Sequence, residues 1–378
     1  MKHETQVRLI REALEACERG SPPMAESWSE NVASVYTSPE RADRERTALF
    51  HDHPIVTGFS SAVPEPGDYL TDDLSLVPLL VVRQTSGALK AFVNACRHRG
   101  SKLVAGGGRC ASRFTCPYHA WSYDLTGALR AIPDDFGFAG FDRDRHGLIE
   151  LPVDERHGLI WVLPRPDGSL ALAEQLGGLA DDLADYRIEE HVVVETRVLE
   201  KRMNWKLVSD TFWEAYHLKP LHKRTIAPIF VRNLGLFEPF GRHHRYVGIR
   251  ASIAKLRELP ERDWDLLPHA TILMNLFPNT ILVIQSDHLE AYRIFPDPER
   301  TNRCRVQIDI LAPRDRLDED WRRVMDLLVG VVEEDFAIGE GIQRNFDSGA
   351  LARVVYGRFE QALEHFHRSV RETVGEEE

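Results

Sequence analysis

The sequence predicts an α+β chain of two domains, a small antiparallel β domain followed by a larger domain that combines a run of strands with a long helix. Three observations predict it. From Tyr69 to about Pro164, short alternating apolar runs separated by Gly, Pro and Asp dominate, among them Leu79–Arg83, Leu89–Asn94, Arg113–Cys116 and Leu159–Leu163. Pro164-Arg165-Pro166-Asp167-Gly168 is a turn cluster at which that pattern stops. Beyond it, strand-like runs at Glu190–Leu199, Thr271–Asn279, Thr280–Ser286, Ala291–Phe295 and Arg303–Leu311 precede an apolar stripe of helical spacing that starts at Trp321. The expected divisions are an N-terminal helical segment at 1–45, the β domain at 46–166 and the second domain at 167–378.

The chain opens on a predicted helix, Glu4 to Arg19, with Val7, Leu9, Ile10, Leu14 and Cys17 on its apolar side. Residues 37–60 are mixed and charged, and Pro54, Pro64 and Pro66 punctuate the approach to the β region. Residues 1–20 lack the apolar core of a secretory signal. The longest largely apolar run, Leu74 to Val82, is too short to span a bilayer and is interrupted by Pro78. With 43% hydrophobic residues in 378, the expectation is a soluble protein with two real cores and no membrane anchor. A formal net charge of −12 and the absence of any Lys/Arg block argue against nucleic acid or an anionic membrane as partner. Five cysteines scattered along the chain suit a reducing cytoplasm. The acidic end, Glu376-Glu377-Glu378, is expected to fray.

The first chemical constellation is Cys96-Arg97-His98 with Cys116-Pro117-Tyr118-His119, a C-x-H arm and a C-x-x-H arm. Two thiolates and two imidazoles suit a structural Cys₂His₂ zinc site or a Rieske [2Fe–2S] cluster, in which Cys₂ holds one iron and His₂ the other. Zinc fingers usually pair Cys with Cys and His with His along the chain; here each arm carries one of each, which favours the cluster. Gly106-Gly107-Gly108 turns the connection, and Phe92-Val93 and Arg113-Phe114 read as strands leading into the arms. The full pattern, N-x-C-x-H-R-G…C-P-Y-H-x-W-x-Y-x-x-x-G over Asn94–Gly100 and Cys116–Gly127, resembles the Rieske domain of the Rieske non-haem iron oxygenases, the ring-hydroxylating oxygenase family. Rieske proteins of the cytochrome bc type carry two further cysteines where this chain has Ser101 and Tyr118, so Cys110 reads as free. Tyr118 and Ser122 can donate hydrogen bonds toward cluster or ligand sulfurs or simply pack in the hairpin; the sequence does not separate the two.

The second constellation runs from Asn204 to His222. Asp210, Glu214 and His217 recur at i, i+4 and i+7, so on a helix they share one face, surrounded by Leu207, Val208, Phe212, Trp213, Ala215 and Tyr216. Carboxylates buried in such company need a partner. His217 and His222 lie five apart, and Pro220 is expected to end or kink the helix so that His222 swings back. Two histidines at a helix end also complement its dipole, and this stretch alone does not decide. The segment E-x-Y-H-x-x-x-x-H resembles the mononuclear-iron motif of the same oxygenases, a 2-His-1-carboxylate triad. For the third ligand, Trp321, Val324, Leu328, Val331, Ile338 and Ile342 form a stripe that includes Asp335, with Glu333 and Glu334 less well aligned. The family's D-x-x-x-x-x-x-x-Q spacing, Asp335 to Gln343, points the same way.

The resemblance implies a helix-grip (START-like) catalytic domain with a curved antiparallel sheet around a helix. It implies a [2Fe–2S] cluster on Cys96, His98, Cys116 and His119, and a mononuclear Fe(II) on His217, His222 and Asp335 that activates O₂. By the same resemblance, Glu214 bridges a cluster-ligand His of a neighbouring subunit and an iron-ligand His of its own in a head-to-tail homotrimer, with Asp210 supporting the iron site from behind. Electrons would come from NAD(P)H through a separate reductase, with or without a ferredoxin, since no G-x-G-x-x-G stands in a strand–turn–helix setting. The family's usual residue at position 214 is Asp; Glu occurs in branches that act on quaternary ammonium compounds. The leading expectation is a terminal oxygenase for an aromatic or other small organic substrate, with Glu at position 214 weakening the aromatic-ring reading. The alternatives are a monooxygenase or demethylase of a quaternary ammonium compound, for which an aromatic cage would be needed, and a non-enzymatic electron carrier or ligand-binding module. Phe230, Phe237, Met274, Asn275, Phe277 and Ile284 are the candidate pocket residues. His243-His244 and His51/His53 have no matching partner spacing and read as surface or packing histidines.

Overall fold

Strands and turns alternate through residues 47–172, which with 188–190 form one of the two units of the computed structural model; residues 1–46, 173–187 and the chain from His191 onward form the other. The structure describes residues 1–376, so Glu377 and Glu378 of the acidic end lie outside the described residues. Glu376 accepts hydrogen bonds from Arg41 and Arg44.

The smaller unit is built on a five-stranded antiparallel sheet in the order Glu150–Leu151, Leu89–Val93, Leu79–Arg83, Asp68–Asp72, Gly107–Arg109, accompanied by two three-stranded sheets. Leu79–Arg83 is buried at every position, which is why it reads as a continuous apolar run rather than an alternating one. One three-stranded sheet, Arg113–Thr115, Ser122–Asp124 and Leu129–Ala131, turns at residues 116–121. That turn and the loop after Leu89–Val93 carry the two Cys–His arms. Leu80, Val82, Phe92, Phe114, Trp121 and Tyr123 pack around Cys96 and Cys116 in one core. Gly127 is required where it stands: its φ is +86°, and a Cβ there would lie 2.5 Å from the Phe92 ring.

The larger unit is a seven-stranded antiparallel sheet in the order His191–Lys201, Cys304–Pro313, Leu289–Pro296, Thr280–Ile284, Ala270–Leu276, His243–Arg250, Phe230–Phe240. The 27-residue helix Trp321–Asp347 packs with it, in the helix-grip arrangement expected. The N-terminal helix, His3–Arg19, buries Leu9, Ile10, Ala13, Leu14 and Ala16 and ends at Gly20 in the left-handed conformation. Within residues 37–60, Pro39–Phe50 forms a helix that was not foreseen. Its Glu45 accepts from Lys206 Nζ (2.6 and 2.8 Å), Trp205 Nε1 (3.0 Å) and Arg41 Nε (2.9 Å) in a buried charge cluster.

Two local expectations are corrected. The long helix buries Trp321, Met325, Val332, Phe336, Gly339, Gln343 and Phe346, whereas Ile338 and Ile342 are 52% and 36% exposed. A stripe drawn at 3.5 residues per turn drifts about 20° per heptad against a true helix, so by its third heptad it has left the buried face. The second correction concerns residues 204–217. Helix Trp205–Asp210, capped by the Asn204 side chain on the Lys206 N–H, stops at Asp210, and residues 211–217 are turns. Asp210, Glu214 and His217 therefore do not form a helical stripe. The Glu214 carboxylate takes the backbone N–H groups of Tyr216 and His217, a local bond that competes with helix. Pro220 sits inside the single turn Leu218–Leu221, where its missing N–H is one that a helix start leaves unpaired anyway.

Candidate metal centres and cavity

Each Cys–His arm is a tight loop closed on its own cysteine. Cys96 N–H donates to the Ser101 carbonyl (2.8 Å) and accepts Gly100 N–H on its carbonyl (2.9 Å); Cys116 does the same with Trp121 (2.8 Å) and Ala120 (3.0 Å). Both sulfurs are buried, and the His98 and His119 rings lie 4.6 Å apart. His98 stacks on Trp121 at 4.8 Å and 5°, and its buried Nδ1 has no hydrogen-bond partner. An orphaned imidazole nitrogen beside a second histidine and two adjacent thiols fits the unequal ligand set of a Rieske cluster.

The surroundings of the thiols fit as well. Tyr123 Oη lies 3.3 Å from Cys96 Sγ. Burial pushes the Cys116 thiol up, but the Tyr118 and His119 N–H groups and the neighbouring Cys96 and Ser101 side chains outweigh it and hold it below its ordinary value. At Cys96 burial wins and the thiol is raised. Of the two donors considered from sequence, Tyr118 is 59% exposed with its ring against His119, and Ser122 bonds to Thr115 Oγ1 and the Ala120 carbonyl. Tyr123 and Ser101 hold the positions expected of them; Tyr123 was visible as the last aromatic of the W-x-Y triplet. Cys110 is free, as are Cys17 and Cys304.

In the larger unit, His217, His222 and Asp335 offer one ligand atom each, all within 4.8 Å of one another. His222 Nε2 lies 3.0 Å and His217 Nε2 3.4 Å from Asp335 Oδ1. The opposite nitrogen of each ring is also held by a carboxylate: His217 Nδ1 by Glu214, and His222 Nδ1 by Glu334 Oε2 at 2.8 Å. A carboxylate on Nδ1 fixes the tautomer in which Nε2 is free to ligate. Burial alone would lower both imidazoles, but the facing carboxylates outweigh it and raise them above the ordinary histidine value. Two imidazoles and one carboxylate, each with open space on one side, can hold a non-haem iron.

Neighbouring helix residues point about 100° apart, so the stripe through Asp335 does not predict a role for Glu334. Here the pair Glu334-Asp335 reaches the two nitrogens of a single ring. Asp210 does not touch these residues; it accepts from Tyr36 Oη (2.7 Å) and faces His367 Nε2 (2.8 Å). His243 and His244 are buried packing residues, His243 Nδ1 accepting the Phe277 N–H at 2.9 Å and His244 facing Asn275 at 3.3 Å.

The triad lies in the wall of a cavity of about 430 Å³ lined by the sheet and the long helix, which contributes Val324, Leu328 and Val331 beside Asp335. The wall is mostly apolar and aromatic, with Phe212, Phe230, Tyr246 and Tyr292, and carries one polar group of residues that includes Arg250, Gln285 and Glu290. Of the six candidate pocket residues, Phe230 lines the cavity. Met274 and Ile284 do not, because their strand neighbours Leu273 and Val283 do and alternate residues point to opposite faces. Phe237 packs on His244 and His365, Asn275 faces His244, and Phe277 is buried away from the cavity.

With this geometry in place, comparison with known proteins is direct. The family described as "Rieske [2Fe-2S] domain" matches residues 53–140, and that described as "Ring hydroxylating alpha subunit (catalytic domain)" matches residues 188–376. The glycine betaine monooxygenase oxygenase subunit of Chromohalobacter salexigens is 34% identical over 367 residues, covering 85% of this chain and 80% of that one. The carnitine monooxygenase oxygenase subunit of Acinetobacter baumannii is 31% identical over 189 residues, so the match covers 50% of this chain and only about half, 51%, of that relative's length. Among solved structures, a quaternary ammonium Rieske monooxygenase in complex with L-carnitine superposes with a TM-score of 0.79 over 94% of this chain and 97% of that one at 23% identity. Naphthalene 1,2-dioxygenase with indole superposes with a TM-score of 0.73 over 91% and 92% at 21% identity. Both structures share the fold. Two family matches in the expected order, and a relative 34% identical over four-fifths of its length, lead to one assignment: the chain belongs to the ring-hydroxylating alpha-subunit family of Rieske oxygenases.

Proposed function

We propose that the chain is the terminal oxygenase of a multicomponent Rieske system and that its substrate is a small quaternary ammonium compound. The observation that carries the oxygenase reading is the presence in one chain of two unlike ligand sets, Cys96/His98/Cys116/His119 and His217/His222/Asp335, the second opening on a cavity. A bare electron carrier needs only the first. The substrate class rests on the glycine betaine and carnitine relatives and on Glu214 in place of Asp. The aromatic pair Phe212–Tyr292, with ring centroids 4.7 Å apart in the cavity wall, offers a face to a cation.

When bound, the iron supplies O₂ activation and the cluster the electrons it lacks. Glu214 and Glu334 hold the two imidazoles so that Nε2 of each faces the metal position, and the apolar wall keeps bulk water from the reacting carbon. Hydroxylation of an N-methyl group consumes O₂, two electrons and two protons and yields an N-hydroxymethyl group and water. That product collapses to a tertiary amine, formaldehyde and a proton. The electrons come from NAD(P)H through a separate reductase, directly or through a ferredoxin. In a head-to-tail homotrimer Glu214 bridges its own His217 to a cluster-ligand histidine of the next subunit. Among the described residues no helix is long and apolar enough to cross a membrane, and the free cysteines suit a reducing cytoplasm.

Purified protein should show a Rieske-type EPR signal and bind a second, mononuclear iron. Asp335→Ala should keep the signal and lose that iron. Wild type with a surrogate reductase should release formaldehyde from glycine betaine or carnitine, and Glu214→Gln should keep both metals while slowing electron delivery. A zinc-only metal analysis overturns the oxygenase reading; unchanged single-turnover rates in Glu214→Gln remove the bridge.

A further inference from the structure

The polar end of the cavity carries chemistry that oxygen activation does not require. Arg250 ends strand His243–Arg250, Thr271 lies near the start of Ala270–Leu276, and Gln285 follows Thr280–Ile284; the pairings Gly248↔Thr271 and Ile272↔Ile284 bring all three to one end of the sheet. Arg250 Nη2 donates to Thr271 Oγ1 (3.1 Å) and to Gln285 Oε1 (2.7 Å). Gln285 in turn donates through Nε2 to Glu290 Oε1 (2.9 Å), while the Tyr292 hydroxyl donates to Glu290 Oε2 (2.8 Å). Glu290 is 4% exposed and satisfied on both oxygens, with His288 Nε2 a further 3.4 Å away. Arg250 is not satisfied. Its Nε is buried without a partner, its Nη1 makes no hydrogen bond, and no carboxylate lies within ion-pair distance among the described residues. Burial pushes the guanidinium down, and the more distant charges of Asp287 and Glu290 only partly offset it.

A half-buried guanidinium that lines the cavity with Nε and Nη1 unpartnered within the chain is well suited to an anion. A carboxylate supplies the direct ion pair that neither Asp287 nor Glu290 makes with Arg250. A dianionic phosphate would leave a charge uncompensated against an apolar wall. The cavity, about 430 Å³, is of the size that encloses small molecules.

We propose that Arg250, presented by Thr271 and Gln285, is a carboxylate anchor, so that the substrate bears a carboxylate as well as the group to be oxidised. The proposal rests on the reading that this cavity holds the oxygenase substrate. The test is calorimetric binding to the holoenzyme of matched pairs: glycine betaine against its amide, carnitine against its amide, and benzoate against benzamide. Wild type should bind at least one carboxylate about tenfold or more tightly than its amide; Arg250→Met should abolish the difference, and Arg250→Lys should keep part of it, with metal content and the EPR signal unchanged. If Arg250→Met does not fold, the wild-type pairs and the Lys variant still decide. Equal binding of acid and amide, a preference that survives in metal-replete Arg250→Met, or no binding of any carboxylate overturns the anchor. Preference for benzoate with no binding of either ammonium pair keeps the anchor and removes the quaternary ammonium reading. Binding of the ammonium pairs with no preference for acid over amide in any of the three pairs keeps that reading and removes the anchor.

Discussion

Replacing Glu334 should weaken iron binding without touching a single ligand. His222 is 1% exposed, and its Nδ1 is held by Glu334 Oε2 at 2.8 Å while Nε2 faces Asp335. Losing such a partner on a ligating histidine typically costs about 10–100-fold in metal affinity, or roughly 1.4–2.8 kcal/mol. The Glu334 side chain is 36% exposed, so solvent screens part of its charge and places the expectation near the lower end. Glu334→Gln keeps an acceptor for Nδ1–H and loses only the charge, and should cost about threefold. Glu334→Ala frees the ring and should cost about tenfold or more. Competition with a chelator of known affinity, read by metal analysis after separation, measures this directly, and the Rieske EPR signal serves as an internal control because its ligands belong to the other unit. Equal iron affinity in wild type and Glu334→Ala would refute the argument that this carboxylate orients the ligand.

Two further perturbations test the cluster loops and the buried charge group. Tyr123→Phe removes the hydroxyl 3.3 Å from Cys96 Sγ; such a bond favours the more negative, reduced cluster, so its loss of about 1 kcal/mol should lower the potential by about 40 mV in a redox titration followed by EPR. A potential that stays put or rises contradicts it. Glu45→Gln strands the buried Lys206 and leaves Arg41 with Glu376 as its remaining ion partner, and should cost about 3–5 kcal/mol of stability at neutral pH. Burial alone would raise Glu45, but Lys206 and Arg41 outweigh it and hold its carboxyl below the ordinary value. Its stabilisation is therefore present above the unfolded carboxylate pKa and is lost as pH falls through the depressed folded value, so the gap in denaturant midpoint between wild type and variant should narrow below about pH 4. A gap that stays constant down to acid pH would mean that ionisation of Glu45 is not what stabilises the cluster.

What could be read from sequence was what is encoded within a few residues. The two Cys–His arms and the His217/His222 pair each lie in one short loop, and their spacing survives whatever the rest of the chain does. Asp335 could be reached across 113 residues from His222 because the helix that carries it is long and periodic and because its spacing to Gln343 resembles the family's. Glu334 was missed because which of two adjacent carboxylates reaches which side of a ring depends on the rotation of that helix about its axis, set by packing. The helix expected through Glu214 failed for a local reason: apolar content stays high there, but the Glu214 side chain captures the backbone N–H groups. Asp210 found its partners, Tyr36 and His367, more than 150 residues away on either side. Met274 and Ile284 failed by strand parity, since one residue's shift in choosing Met274 rather than Leu273 selects the opposite face.

The consecutive carboxylates Glu334 and Asp335 make the long helix a phase-setting device. Deleting one residue between Trp321 and Asp335 would turn both by about 100° relative to Trp321 at once, so the carboxylates on the two nitrogens of His222 would be displaced together. Length changes in this stretch should therefore be far less tolerated than substitutions on its solvent side, and an insertion there should be rescued only when the added residues complete whole turns.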